Sequence, residues 1–197
     1  MCDLMILNIF ALICSLPVIT AGSAFSALYS VSLKLVRDEE SFPLKDFFRA
    51  FKENFRQSLL LWLIIIALAA VIYADVSFAL AAEGGIRTLY LILSGVMGVL
   101  LLILFSFSIP LSARFSNSLK GQIVNSFKLA LIAPGKMVGM WAVIAAFIAA
   151  AVFLPFEALA YIGWFYFLFG LSLPIYINSG ILNKIFLKIE DSAKNDA

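Results

Sequence analysis

The sequence predicts an all-α membrane protein with five transmembrane helices. Three observations carry that reading. Of 197 residues, 63% are hydrophobic and 13% charged, against about 25% charged in soluble domains. The charges are also missing in blocks: residues 4–33, 57–74, 88–113, 137–156 and 158–183 carry none. A hydrocarbon core about 30 Å thick takes roughly 20 helical residues, so each block is long enough or nearly so. Finally, stretches such as LLLWLIIIALAAVIY at 59–73 lack the alternation a barrel strand requires. With backbone groups satisfied internally in lipid, helices remain.

The first span is expected at about 4–22, closing on Pro17, Thr20 and Gly22. Thr20-Ala21-Gly22-Ser23-Ala24 resembles a signal-peptidase site, but Met1-Cys2-Asp3 offers no basic n-region. Residues 43–57 form an amphipathic helix, with Leu44, Phe47, Phe48, Phe51 and Phe55 at helical spacing and basic residues on the other faces. That stripe suits either the membrane interface or the underside of the bundle. The second span, about 58–80, turns at Gly84-Gly85 into the third, about 88–112. A weaker amphipathic helix at 117–133 presents Leu119, Ile123, Phe127 and Leu131. The fourth span, about 136–156, begins with Gly135 and Gly139 in GxxxG spacing. Ala142, Ala146 and Ala150 continue the small-residue row, which predicts a helix buried among its neighbours. The fifth, about 159–183, opens with Tyr161, Trp164 and Tyr166, an aromatic belt. The five spans and their flanking helices make one integral membrane domain over 1–197.

Basic residues alternate between the connections. Six lie between spans one and two (Lys34, Arg37, Lys45, Arg49, Lys52, Arg56), one in the next loop (Arg87) and four in the third (Arg114, Lys120, Lys128, Lys136). The fourth loop has none and the tail has three. The positive-inside rule then puts the N-terminus outside and the C-terminus in the cytoplasm.

Little points to catalysis. The chain has no histidine, which removes imidazole metal sites and Ser-His or Cys-His pairs. Cys2 and Cys14 read as small apolar residues. Asp75, Glu83 and Glu157 are the acids of an outer carboxylate site, the least favoured reading. No cofactor and no nucleic-acid partner are expected; the lipid bilayer is. Three Ser-x-Pro steps recur at span ends, each followed by small polar residues: Ser15 and Pro17 with Thr20; Ser108 and Pro110 with Ser112 and Ser116; Ser172 and Pro174 with Asn178 and Ser179. Three kinks at one depth predict a polar vestibule at the cytoplasmic ends of spans one, three and five. Asn8 and Asp75 are the candidates for an intramembrane polar site.

The run CSLPVITAGSAFSALYSVSLKL, then FFRAFKENFRQS and a tryptophan-bearing span, resembles the YesL-like bacterial membrane proteins, which carry a domain of unknown function numbered 624. Asn8, Pro17, Thr20, Gly22, Leu28, Tyr29, Phe48, Phe51 and Trp62 carry the likeness. The resemblance implies a short segment ahead of Leu7-Asn8, a bacterial plasma membrane, and an accessory role beside sugar ABC transporters and glycan-degrading enzymes. A small channel or carrier is the alternative expectation.

Overall fold

The computed structural model describes residues 2–115, 118–153 and 159–195. Their order is α1 (Cys2–Ser15), a single 3-10 turn (Val18–Thr20), α2 (Ala21–Val36), α3 (Pro43–Ala81), α4 (Gly84–Arg114), α5 (Leu119–Ile132), α6 (Pro134–Phe153), α7 (Leu159–Phe169) and α8 (Ser172–Asn195). No strand occurs among the described residues. The protein is an all-α polytopic membrane protein. Among the described residues four helices are long and apolar enough to cross a bilayer, and a fifth span forms if the bent α7–α8 pair is counted as one.

The first charge-free block does not form one span at 4–22. Pro17 cannot continue α1, because its ring clashes with the carbonyl four residues back. Helix α1 therefore stops at Ser15 after 14 residues, about 21 Å at 1.5 Å per residue. The chain doubles back through an exposed apolar tip (Leu16, Val18, Ile19) into α2. Contacts along α3 fix the direction of each arm. Phe10 meets Phe48 and the Val18 carbonyl accepts from Trp62 Nε1 at 2.7 Å, so α1 runs with α3. Ser23 Oγ donates to the Phe55 carbonyl and Lys34 pairs with Asp46, so α2 runs against it. The thirty uncharged residues are a helical hairpin on the first half of α3.

This arrangement sets where α1 begins relative to the basic segment. Ile6 lines a surface hollow with Phe42, Pro43, Leu44, Lys45 and Phe48. The start of α1 thus lies at the same end of the bundle as the basic segment 34–56, not at the opposite end. A hairpin returns the chain to the side it left; a single span would not have.

Helix α3 is one element of 39 residues, so 43–57 is not a separate amphipathic helix. At about 58 Å it is nearly twice the hydrocarbon thickness, and its first four turns project beyond. Phe47, Phe51 and Phe55 turn toward protein, while Phe48 is 38% exposed. Phe47 is fully buried, stacks on Phe51 at 6.3 Å, and Phe51 meets Phe55. Asp46 closes this end: it accepts from the Phe42 N–H, Ser41 and Arg49 at 2.7 Å, with Lys34 Nζ 3.3 Å away. Burial alone would raise its pKa, but Lys34, Ser41 and Arg49 together hold it below the ordinary carboxylate value.

Two other expectations are corrected. Helix α5 buries Gln122, Ser126, Leu129 and Ala130, one position away from the expected stripe, and leaves Leu131 84% exposed. Its start is capped by Ser118 Oγ, which accepts from the Gly121 N–H. Helix α6 is the least buried span rather than an interior one; only Met140 is buried on it. A Cβ at Gly135 would meet nothing within 4 Å, and Ala142, Ala146 and Ala150 face outward. Small residues permit close approach but supply no contact area of their own, so larger faces on α2 took the interior. Trp164 is exposed on α7; Tyr161's side chain lies outside the described residues.

The interior position belongs to α2. Gly22 lies so close to α3 that a Cβ there would overlap the Trp62 side chain and crowd the Ser58 carbonyl. Replacing Gly22 with leucine should cost about 1–3 kcal/mol by overpacking and lower the melting temperature of the detergent-solubilised protein by several degrees. An unchanged melting curve would show that the crossing is not close. Acid should loosen the same end. Because Asp46 titrates lower in the folded protein, its contribution is complete above about pH 4. It is lost as pH falls through the folded value, and Asp46→Asn should flatten that part of the stability profile.

Candidate functional site

The candidate site is the polar and aromatic interior around α2, together with a break in the last span. Between α7 and α8 the chain bends by 47°. A bend in lipid frees backbone groups that water cannot reach. Asn8, fully buried on α1, takes them up: its Nδ2 donates to the Phe167 carbonyl at 2.7 Å. Its Oδ1 accepts from the Leu171 N–H at 2.8 Å and the Ser172 N–H at 2.9 Å. Gly170 completes the break, since a Cβ there would strike the Tyr166 carbonyl.

The three Ser-x-Pro steps do three different things. Pro17 follows the end of α1, and Ser15 Oγ donates back to the Leu12 carbonyl. Thr20 Oγ1 donates within the hairpin tip, 2.7 Å from the Cys14 carbonyl and 2.9 Å from that of Pro17. Pro174 is the third residue of α8, where a missing N–H has no helical partner to lose. Only Pro110 lies inside a helix. Around it Ser106, Ser108 and Ser112 donate to the carbonyls of Leu102, Leu104 and Ile109. They are not three kinks at one depth.

Nor do the polar residues that follow them meet in one place. Ser112 Oγ lies 3.0 Å from Ser26 Oγ and 3.3 Å from Ser58 Oγ. With its proton on Ile109, its two lone pairs accept from both, joining α2, α3 and α4. Asn178 instead lines the cavity beside Tyr29. Asn178 Oδ1, Ser179 Oγ and Asn183 Oδ1 on α8, with Ser32 Oγ on α2, are buried without a hydrogen-bond partner among the described residues. The Ser172 hydroxyl is buried likewise. Ser116 lies outside the described residues. Asp75 is half-buried far along α3, roughly 40 Å from the Phe48 level at 1.5 Å per residue. Asn8 and Asp75 therefore form no common site. Glu157 lies outside the described residues.

The sequence reading gives no site role to Ser26, Ser32 or Ser58 and names Tyr29 only in the family likeness, because 23–36 falls outside the expected spans and Ser58 only opens the second. A signal was present: Ser23 and Ser26 lie about one turn apart on a helix face, in a run without charges. Beside this polar core lies an apolar cavity of about 470 Å³ walled by α2, α4, α6, α7 and α8. Trp141 Nε1 donates to Ser106 Oγ at its rim, and the Tyr166 hydroxyl donates to the Phe147 carbonyl.

The fold and site define a polytopic membrane protein whose interior is built on a helical hairpin. Residues 4–76, spanning nearly all of α1 through most of α3, match the model of a family described as a protein of unknown function, DUF624. No curated protein and no solved structure matches the chain.

Asn8 serves the break through three bonds, and its removal should be costly. Asn8→Leu should destabilise the protein by about 2–4 kcal/mol, since it leaves three buried or part-buried backbone groups without their side-chain partner. Asn8→Asp, which keeps the acceptor, should cost less. Thermal melts in detergent that rank the two variants the other way would remove Asn8 from this role.

Proposed function

We propose that the chain is a non-catalytic accessory of carbohydrate uptake in a bacterial plasma membrane, and that its basic end is the cytoplasmic docking face. One observation carries this reading. Lys45, Arg49, Lys52 and Arg56 are exposed along the projecting turns of α3, at the end of the bundle that also holds Lys34, Arg114 and the start of α1. Arg87 alone sits at the far turn. The positive-inside rule places such an end in the cytoplasm, and the N-terminal end of α1 with it. The likeness to YesL-like proteins supplies the sugar-uptake context. Subunits of a sugar ABC transporter are the proposed partners, and acidic patches on them would suit the exposed cations.

A small channel or carrier is the second reading, favoured by the unpartnered polar atoms between α2 and α8 and by the broken last span. Sugar uptake into proteoliposomes that Asn178→Leu abolishes would promote it over the first.

In a Cys2→Ser/Cys14→Ala background, an impermeant thiol reagent on intact cells should label Gly85→Cys but neither Asp3→Cys nor Arg49→Cys. Labelling at 49 and not at 85 would invert the assignment. A native pull-down should recover transporter subunits, and Lys52→Glu/Arg56→Glu should reduce that recovery by about tenfold through charge reversal. Recovery of no transporter subunit by the parent protein would sink the accessory reading.

A further inference from the structure

Beyond any docking role, we infer that the cavity beside α2 holds one hydrocarbon chain of a bilayer phospholipid, admitted sideways along α6. The volume of about 470 Å³ falls within the roughly 300–1,000 Å³ of small-molecule sites. Its walls are hydrocarbon and ring faces: Phe25 from α2, Phe105 and Ile109 from α4, Ile144 and Ile148 from α6, Ile175 from α8. Of the polar side chains in the lining, Trp141 is engaged by Ser106 and Tyr166 by the Phe147 carbonyl, which leaves Tyr29 and Asn178 at one edge, Asn178 Oδ1 with no partner among the described residues. A sugar, ion or head group placed there would exchange its full hydration for those two side chains alone.

The α6 wall identifies the occupant. Ile148 is 60% and Val152 69% exposed while both line the cavity. They belong to the span with the least burial. In a membrane that surface meets acyl chains, so the cavity opens directly on hydrocarbon. A chain from the surrounding lipid restores dispersion contacts that the facing rings of α2 and α4 otherwise lack. A second copy of the protein presents whole helices about 10 Å wide, too broad to enter a recess between two spans.

Native mass spectrometry of the protein, released from detergent micelles supplemented with dioleoyl phosphatidylglycerol, tests this. The parent should retain one phospholipid. Ile144→Phe and Ala151→Trp should each lower the lipid-bound fraction by about tenfold, the loss expected from displacing roughly two methylenes. Both positions lie on the exposed helix α6, so either ring is accommodated without disturbing the core, and unchanged circular dichroism verifies the fold. Leu89→Phe, on the exposed surface of α4, should leave the adduct intact. Three outcomes overturn the inference. These are a parent that carries no phospholipid or a second copy instead, retention of the adduct by both cavity variants, and equal loss by Leu89→Phe, which marks unspecific annular lipid.

Discussion

A helix buried in a membrane bundle has no water to satisfy it and little hydrophobic force to hold it. Its neighbours must approach closely, and its polar groups must find partners among them. Helix α2 meets both conditions and the rest of the protein is arranged around it. Gly22 admits the Trp62 side chain of α3. Ser26 reaches Ser112 on α4, Ser23 reaches the α3 backbone, and Tyr29 lies beside Asn178 on α8. Three helices thus read one face and flank of α2 through small or hydroxylated side chains. Leu28, Val31 and Leu33, all fully or almost fully buried, fill the remaining space.

The short α1 completes this core from the other side. It is not long enough to span a membrane, but it delivers Asn8 to the one place where the last span fails to continue. The hairpin and the bend are therefore coupled. Without α1 the bend would expose backbone to lipid, and without the bend Asn8 would be an orphaned amide in an apolar helix. The bend also turns α8 along α2 and leaves α6 outside, which opens the cavity between them.

The same geometry gathers charge. When the first block doubles back, the start of α1 returns to the end of the bundle that holds the basic segment 34–56. Nearly all basic residues then fall at one end, including those on the projecting turns of α3. That end carries a built ionic clasp in Lys34, Asp46 and Arg49, so the exposed cations beside it stand on a fixed platform.

Much of this was legible in the residues themselves. Charge-free blocks require membrane helices because lipid tolerates few unpaired polar groups, and Pro43 and the phenylalanine spacing mark the first turns of α3 as amphipathic. The sequence by itself thus determined the class, the helical content and the unequal distribution of charge. It did not show that residues 4–33 fold back, because a proline with a following Thr-Ala-Gly reads equally as a kink or a reversal. It could not choose between α2 and α6 for the interior, since both carry small residues at helical spacing; the serines and larger apolar groups of α2 decided that only through contact with α3, α4 and α8. The role of Asn8 was equally a tertiary matter. Its partners lie 159 to 164 residues away in the chain, and one polar side chain in an apolar helix declares its function only when the backbone it satisfies is brought beside it.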